Sequence, residues 1–397
     1  MDINQLKQHT FIVIGYEHYN PLGVIRSLGE NGISPVVIML KNDVRVASKS
    51  KYIKDLYIID RNEEAFDILK KYVDKKNKAI IIPCDDNITE LLDEHYDEIK
   101  NCFYCSNAGE AGRIGFYQNK ANTNTLAEQC GLKIPQSWVT TNKKIPGNIQ
   151  YPVITKPLTS YPNWKEDYYI CHNDEELQGA LDKIKSDTVL LQQFIVKTKE
   201  ISMDGVSCNK GTEVFISNYN ESVYVLEDYF SMMLYHKKLE NTELKNKIKK
   251  MLETVRYEGI FSVDFIEDSA GTWYFLEINY RNSAFSYAST KLGMNLPLIW
   301  ASAMVNNKMP EQIERNIPSN YISLAEVADF GHRVRRLKMI TFKDWIKDVK
   351  RANCLYDYNP NDLKPLISEI VGKAKRIGRK KIKNLVRKVT EKENVGR

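Results

Sequence analysis

The sequence predicts a mixed α/β (α+β) protein that begins with a Rossmann-like domain. Its 397 residues, 43% of them hydrophobic, exceed what one compact domain usually holds. Two apolar runs, Phe11–Gly15 and Val36–Leu40, flank a helical pattern at Pro21–Glu30, which is typical of a βαβ unit. Residues 261–278 read instead as a β-hairpin of two apolar strands and a short turn ending in glycine.

A third buried strand of the first domain is predicted at Ala79–Pro83, before an acidic amphipathic helix. The turn after the first strand lacks the GxGxxG spacing, so a dinucleotide fingerprint is not supported. Ligands of open parallel sheets collect at the carboxyl ends of the strands, where Asp85 and Asp86 lie. Either residue is equally explained as the N-cap of the following helix, which is the simpler interpretation.

The hairpin carries polar side chains where a buried strand is expected to be apolar. Alternation places Glu277, Asn279 and Arg281 on one face, with Leu276, Ile278 and Tyr280 on the other. In the right register Asp264 lies near Glu277, and two carboxylates repel one another unless a cation lies between them. Such oxygen ligands suit Mg²⁺, although an ordinary solvated face is the alternative.

The net charge of +6 is concentrated at the end of the chain. Residues 367–397 hold 11 Lys/Arg and 3 Glu, whereas the first 366 residues hold 46 Lys/Arg and 48 Asp/Glu. Apolar residues recur in this tail with partial helical spacing, as in a helix that lies on an anionic membrane. A solvated basic helix explains the same pattern equally well. For the function of the protein, the tail also allows the hypothesis of an RNA-binding or membrane-tethered adaptor.

The remaining composition indicates a cytoplasmic protein with reduced thiols. No apolar run reaches the length that spans a bilayer, and the first ten residues are polar. The seven cysteines are scattered and odd in number. Cys102 and Cys105 form one CxxC without a second pair, so we interpret them as packing residues and not as a zinc site.

Two lysines and a connector complete the set of motifs. Lys120 lies early in a predicted helix that closes at Gly131, and Lys156 ends the strand in "YPVITKP". A further strand, "TVLLQQ", leads through a short linker into the next. Single lysines are usually solvent-exposed, so the order and spacing of the motifs carry the argument.

In that order the motifs resemble the ATP-grasp superfamily over roughly residues 10–365. The similarity is greatest to carbamoyl-phosphate-synthase-like and D-aspartate-ligase-like carboxylate–amine ligases, and "FSVDF" with "YFLEINYRNS" is its most specific part. The resemblance assigns Lys120 and Lys156 to the phosphates of ATP, with Arg281 over the transferred phosphoryl group. It assigns the adenine to Gln193, Phe194 and Ile195, the ribose to Glu200, and two Mg²⁺ ions, with Mn²⁺ as an alternative, to Asp264, Glu277 and Asn279, Glu277 bridging.

The resemblance implies an ATP-dependent ligase that activates a carboxylate as an acyl-phosphate and joins it to an amine. Relatives of this kind suggest an amino acid such as D-aspartate as the amine and a peptidoglycan or surface-polysaccharide precursor as the other substrate. The expected partners are small molecules, with no specific nucleic acid. A ligase of this kind is compatible with peripheral contact between the tail and the inner face of the membrane. It is also compatible with a homodimer.

The expected domains are a Rossmann-like pre-ATP-grasp domain at 1–115, an ATP-grasp domain at 116–365 and a basic helical tail at 366–397. Within the second, a lid covers about 130–195 and a catalytic part about 196–365. The segment "LTSYPNWKEDYYI" after the strand lysine has no glycine, unlike the phosphate-covering loop common in this superfamily. Ser160, Lys165 or backbone amides of this segment are the expected substitutes for the glycine-rich loop, with Trp164 as a lid. This departure keeps a non-catalytic nucleotide-binding protein as the alternative.

Overall fold

A computed structural model describes residues 1–158, 167–225, 231–236 and 239–376, which form three β-sheets with helices against them. The expectations for Ser160, Trp164, Lys165 and residues 377–397 lie outside the described residues. The boundaries expected between the domains stay predictions.

The N-terminal sheet is fully parallel, with the strand order β3-β2-β1-β4-β5. The inner strands are apolar along their whole length because helices cover both faces. The strands are β1 Phe11–Tyr16, β2 Val36–Leu40, β3 Asp55–Ile59, β4 Ala79–Pro83 and β5 Phe103–Tyr104. The helices are α1 Ile3–Leu6, α2 Tyr19–Gly29, α3 Ala65–Leu69, α4 Asp86–Glu94 and α5 Tyr96–Ile99.

The helix ends of this region follow from their caps. Helix α2 begins at Tyr19, two residues before the predicted start, because the His18 side chain accepts a hydrogen bond from the Asn20 backbone N–H. Asp85 is the N-cap of α4, since its Oδ1 accepts from the Ile88 N–H at 2.9 Å. The capping interpretation is therefore confirmed for Asp85.

A four-stranded sheet with the order β6-β9-β7-β8 follows two short helices. Helix α8 packs against one of its faces, around a small core that includes Val153, Leu177 and Leu191. The helices are α6 Arg113–Gln118, α7 Lys120–Gln129 and α8 Asp174–Lys183. The strands are β6 Ser137–Thr141, β7 Val153–Lys156, β8 Ile170–Cys171 and β9 Thr188–Gln193.

The largest sheet has seven strands in the order β14-β13-β10-β11-β12-β15-β16. Its back face packs on α7 and α9 through a core that includes Phe261, Met251 and Tyr280. The strands are β10 Lys199–Cys208, β11 Glu213–Ser222, β12 Met232–Tyr235, β13 Gly259–Glu267, β14 Trp273–Asn279, β15 Tyr321–Leu324 and β16 Cys354–Leu355. The helices are α9 Thr242–Val255, α10 Ser286–Lys291, α11 Leu296–Asn306, α12 Glu326–Asp329 and α13 Phe342–Arg351.

A π-helical segment, Phe330–Arg336, continues α12, and residues 364–376 are helical. All seven cysteines are free thiols. In the part of the chain that the structure describes, no helix combines the length and the apolar character that crossing a membrane requires.

A buried ion pair fastens the N-terminal sheet to the C-terminal residues. The Nε of Arg26, on α2, donates to Asp362 Oδ2 at 3.0 Å, and both side chains are at most 1% exposed. The guanidinium also donates to the backbone oxygen of Tyr356 at 2.7 Å. Ser50 donates to the same Asp362 carboxylate at 2.8 Å, so every charge in the cluster is satisfied locally.

We expect Arg26→Ala to lower the free energy of unfolding by about 3–5 kcal/mol, because it leaves Asp362 charged and unpaired in the interior. Urea unfolding followed by tryptophan fluorescence measures this. The matched control is Arg61→Ala, which breaks an exposed pair with Glu64 and should cost less than about 1 kcal/mol. Equal effects of the two variants would contradict the structural role of Arg26.

Candidate active site

The register of the β13–β14 hairpin brings the predicted metal ligands together. Asp264 lies directly opposite Glu277, and Asn279 lies opposite Ser262. The Asn279 Nδ2 donates to Asp264 Oδ2 at 3.2 Å, which joins the third side chain to the pair. The pairing shifts by one residue beside Asp264, so Leu276 has no cross-strand partner in this ladder.

This β-bulge corrects one detail of the sequence prediction. Strict alternation would place Leu276 with Ile278 and Tyr280 on the back face. Because the bulge falls at Leu276, Phe275 and Ile278 both enter the back core, and Leu276 instead lines a cleft with Glu277. The bulge thus turns Glu277 toward the polar face without removing Phe275 from the core.

The electrostatics of the pair fit a divalent cation. Burial, followed by the nearby Glu277 carboxylate, raises the pKa of Asp264 well above its usual range. Within the described ranges, no three His, Cys, Asp or Glu side chains converge as a metal site, so the third oxygen here is the Asn279 amide. Two carboxylates and an amide oxygen are a donor set that suits Mg²⁺ when phosphate oxygens complete its coordination.

Arg281 connects this oxygen-rich face to the N-terminal sheet. Its Nη2 donates to Asn279 Oδ1 at 3.0 Å, and its Nε lies 3.1 Å from Asp86 Oδ1. Burial alone would lower the pKa of Arg281, but Asp86 and the neighbouring acidic groups outweigh it and raise that pKa. The guanidinium is therefore a fixed positive charge beside the proposed metal ligands, and Asp86, which sequence reasoning treated as a cap candidate, orients it.

Lys156 approaches the same face from the four-stranded sheet. Its Nζ donates to Gln192 Oε1 at 2.7 Å. Burial lowers the pKa of Lys156 to about 8, Glu277 opposes this shift, and the positive charges of Lys120 and Lys197 add to it. Lys156 therefore lies within electrostatic range of both Lys120 and Glu277.

Lys120 lies at the start of α7, where it lines a narrow cleft of about 50 Å³ together with Asp86, Glu277 and Asn279. Its backbone N–H donates to the Leu158 carbonyl at 2.9 Å, which fixes the start of α7 against the segment that follows Lys156. The structure thus brings Lys120, Lys156, Arg281 and the three proposed metal ligands together.

The predicted adenine connector lies at the end of β9. The Gln193 N–H donates to the Gln136 carbonyl at 2.7 Å, and the Phe194 N–H donates to the Pro152 carbonyl at 2.9 Å. Because these two backbone N–H groups already have acceptors, a nucleotide base would have to bind the backbone of Ile195 or the carbonyl groups of the connector. Glu200 follows on β10, where its carboxylate pairs with Lys197.

Sequence reasoning missed three neighbours of these residues. The pairing of Asp86 with Arg281 joins the first residue of α4 to a residue just after β14, and the sequence contains no local signal for it. Gln192 was included in a quoted strand, but its contact with Lys156 depends on the pairing of β7 with β9. For Asp204 the sequence does contain a signal of its place on the polar face. Ser202 and Asp204 are two residues apart on β10, as the polar residues of the hairpin are on β14.

Comparison with known proteins identifies relatives of much of this chain. Residues 118–310 match the family model of the carbamoyl-phosphate synthase L chain, ATP binding domain. The chain is 22% identical over 280 residues to D-aspartate ligase of Enterococcus faecium (strain Aus0004). That alignment covers 60% of this chain and 62% of the ligase, so the similarity extends over less than two thirds of the relative.

Solved structures show the same fold. N5-carboxyaminoimidazole synthetase from Staphylococcus aureus, complexed with ADP, superposes with a TM-score of 0.59 at 16% identity, covering 79% of this chain and 80% of that one. The biotin carboxylase domain dimer of Hydrogenobacter thermophilus 2-oxoglutarate carboxylase, with MgADP, ADP and bicarbonate, gives 0.61 at 17% identity, covering 79% and 73%. The predicted ATP-grasp fold is confirmed, and residues 118–310 are similar to the ATP binding domain of the carbamoyl-phosphate synthase L chain.

The pKa of Lys156 predicts a pH dependence of nucleotide binding. The lysine is charged below pH 8 and loses its proton above it, and only the charged form attracts phosphate. We therefore expect the affinity for metal-free ADP to be about tenfold weaker at pH 9 than at pH 7, since one proton is linked to binding. Isothermal titration calorimetry measures this dependence.

Two variants sharpen that measurement. Lys156→Gln should weaken ADP binding at pH 7 and abolish the change between pH 7 and 9. Lys183→Gln, a lysine in the last turn of α8, should retain the wild-type profile. An unchanged profile in Lys156→Gln would assign the titration to another group.

Proposed function

We propose that this protein is an ATP-dependent carboxylate–amine ligase. The observation that carries the proposal is the convergence of Asp264, Glu277 and Asn279 with Arg281 and Lys156 on one half-buried face. The matched family, described as an ATP binding domain, and the ligase relative support the same assignment.

The reaction moves a phosphoryl group between two anions, so charge repulsion is the obstacle that the site has to overcome. Asp264, Glu277 and Asn279 would hold two Mg²⁺ ions, and these would neutralise charge on the phosphate oxygens. Lys156 and Lys120 would bind the phosphates of ATP through their positive charges. Arg281 stabilises negative charge on the transferred group, because its guanidinium is already fixed beside Asn279.

The substrate carboxylate first displaces ADP from the γ-phosphorus and becomes an acyl-phosphate. The amine nitrogen then attacks the acyl carbon. The new C–N bond forms as the C–O bond to phosphate breaks, inorganic phosphate leaves, and the nitrogen gives up its proton. A site closed to water would protect the acyl-phosphate from hydrolysis between the two steps.

For the substrates, we propose an amino acid resembling D-aspartate as the amine and a bacterial cell-envelope precursor as the carboxylate, either of peptidoglycan or of a surface polysaccharide. The D-aspartate ligase relative supports this choice. Such a reaction belongs in the cytoplasm, where ATP is available. The basic residues beyond residue 366 would hold the enzyme near a lipid-linked precursor at the inner membrane face.

Phosphate release with Mg-ATP tests the function directly. D- and L-amino acids are combined with envelope precursors as carboxylates, and each reactant is also tested alone. Turnover that requires one matched pair establishes the ligase and identifies its substrates. Absence of turnover across the matrix, with ATP binding intact by calorimetry, would favour the non-catalytic nucleotide-binding alternative.

Once a pair is found, Glu277→Ala should lower Mg²⁺-dependent kcat by at least ~10²-fold, as loss of a major charge-stabilising group does. Glu253→Ala, an exposed carboxylate on α9, is the control and should leave kcat unchanged. A near-normal rate in Glu277→Ala would refute the metal assignment.

Arg281→Ala should reduce kcat more than ATP affinity, since the guanidinium is proposed to act on the transferring group. Steady-state kinetics together with calorimetry of ATP binding separate the two effects. Equal losses in kcat and in affinity would reduce Arg281 to a nucleotide-binding residue.

A further inference from the structure

The polar face of the seven-stranded sheet continues beyond the proposed metal ligands. On β10, Ser202 lies opposite Asp264 and Asp204 lies opposite Ser262. On the other side of β10, Ser202 pairs with Asn220 and Asp204 pairs with Asn218 of β11. Neighbouring strands are about 4.8 Å apart, so these side chains lie one and two strands from Asp264.

Asp204, Asn218 and Asn220, which we call the acceptor cluster, are fully buried at 0% exposure. Among the described residues, neither carboxylate oxygen of Asp204 accepts a well-formed hydrogen bond, although the nearby Ser283 hydroxyl and the Arg281 charge favour its charged form. Within the same residues, Asn218 Oδ1 and both polar atoms of the Asn220 side chain also make no well-formed hydrogen bond. Buried polar groups are nearly always paired in native proteins, so this concentration of unpaired atoms requires a ligand or a chemical role.

The chemistry of the acceptor cluster is one-sided. It offers four unpaired acceptor oxygens against a single unpaired donor, the Asn220 Nδ2. The Asn218 Nδ2 donates to Ser289 Oγ at 3.1 Å, which fixes the opposite end of that amide as an acceptor. A buried carboxylate without a cationic partner is costly, so the complementary ligand is a compact cation with several N–H donors.

We propose that the acceptor cluster binds the ammonium group of the amine substrate. This inference rests on the proposed ligase function and deepens it by assigning the second substrate to a place in the fold. An ammonium group has three donors, which match one oxygen each of Asp204, Asn218 and Asn220.

The position suits a nucleophile once the bound ammonium group has given one proton to the Asp204 carboxylate, because only the neutral amine has a lone pair for attack. The acyl-phosphate would form beside Asp264 and Arg281, and the amine nitrogen has to reach the acyl carbon next to it. Ser262 of β13 lies opposite Asp204 of β10, and its hydroxyl oxygen accepts a hydrogen bond from Asn279 Nδ2 at 3.3 Å. The acceptor cluster therefore adjoins the proposed metal ligands through a single intervening side chain.

Access to the cluster requires movement of the segment that covers it. Ser289 on α10 contacts Asn218, and Ser283 lies close enough to Asp204 for its hydroxyl to favour the charged carboxylate. Both belong to the chain that follows Arg281. A ligand bound at Arg281 and a ligand bound at the acceptor cluster would therefore both contact this segment. For this reason we expect amine binding to depend on bound nucleotide.

Calorimetry with the full chain, Mg²⁺ and a non-hydrolysable ATP analogue tests the proposal with matched ligands. D-Aspartate is compared with D-malate, and L- and D-alanine with the corresponding lactates, so that each pair differs only in amine against hydroxyl. At least one amine should bind ~10-fold or more tightly than its hydroxyl partner, as expected for charge-assisted hydrogen bonds.

Asp204→Asn should remove this preference while binding of the ATP analogue stays intact. Asp93→Asn is the matched control, because Asp93 is also fully buried with an unpaired oxygen but lies on α4 in the N-terminal region. Asp93→Asn should keep the preference for amines. A preference that persists in Asp204→Asn would overturn the proposal.

The wild-type comparison stands even where a variant fails to fold: no amine preference in any pair would also overturn the proposal. Potassium chloride is titrated in parallel. If potassium binds and prevents the ligands from binding, and the amines bind no more tightly than their hydroxyl partners, the cluster is a site for an inorganic cation and the proposal is overturned. The outcome is separable from the ligase proposal. Turnover without an amine preference refutes only the acceptor cluster. An amine preference without turnover counts against the ligase and leaves the acceptor cluster as an amine-binding site, no longer the site of a second substrate.

Discussion

The antiparallel register of β13 and β14 is the constraint on which the site depends. It places Asp264 opposite Glu277, and a slip of one residue would send one of the two carboxylates into the core that α9 covers. The bulge at Leu276 allows Phe275 to remain in that core while Glu277 faces the other way. Packing on the back face thus holds two repelling carboxylates together on the front, which no local preference of the two side chains would do.

The second constraint is the ion pair between Arg281 and Asp86. It joins the seven-stranded sheet to the carboxyl end of β4 in the N-terminal sheet. Asp86 is about one-third exposed, whereas the arginine is more deeply buried, so the pair lies at the edge of the cleft. A phosphoryl group entering the cleft would compete with Asp86 for the guanidinium, so the N-terminal sheet takes part in positioning the group that is proposed to stabilise the transferred charge.

Local patterns were sufficient to predict much of the fold. The strands Val36–Leu40 and Ala79–Pro83 and the hairpin were correctly predicted because each is an apolar run bounded by turn residues. The approach of Asp264 to Glu277 was predicted only on condition of the register, since alternation says nothing about where a bulge falls. The bulge at Leu276 and the contact of Arg281 with Asp86 depend on tertiary packing between segments distant in sequence, and no spacing rule contains that information.

The electrostatics of the site explain why these residues are arranged as they are. Without ligands, burial disfavours the charged form of Lys156 and of Asp264 at the same time, and each pKa moves toward neutrality. Lysine and carboxylate do not pair directly, since Lys156 donates to Gln192 and Asp264 accepts from Asn279. An anionic nucleotide would restore the charge on the lysine, and a divalent cation would restore the charge on the carboxylate. Only when both ligands are bound are the charged lysine and the charged carboxylate both compensated. We therefore expect nucleotide and metal to bind cooperatively at this face.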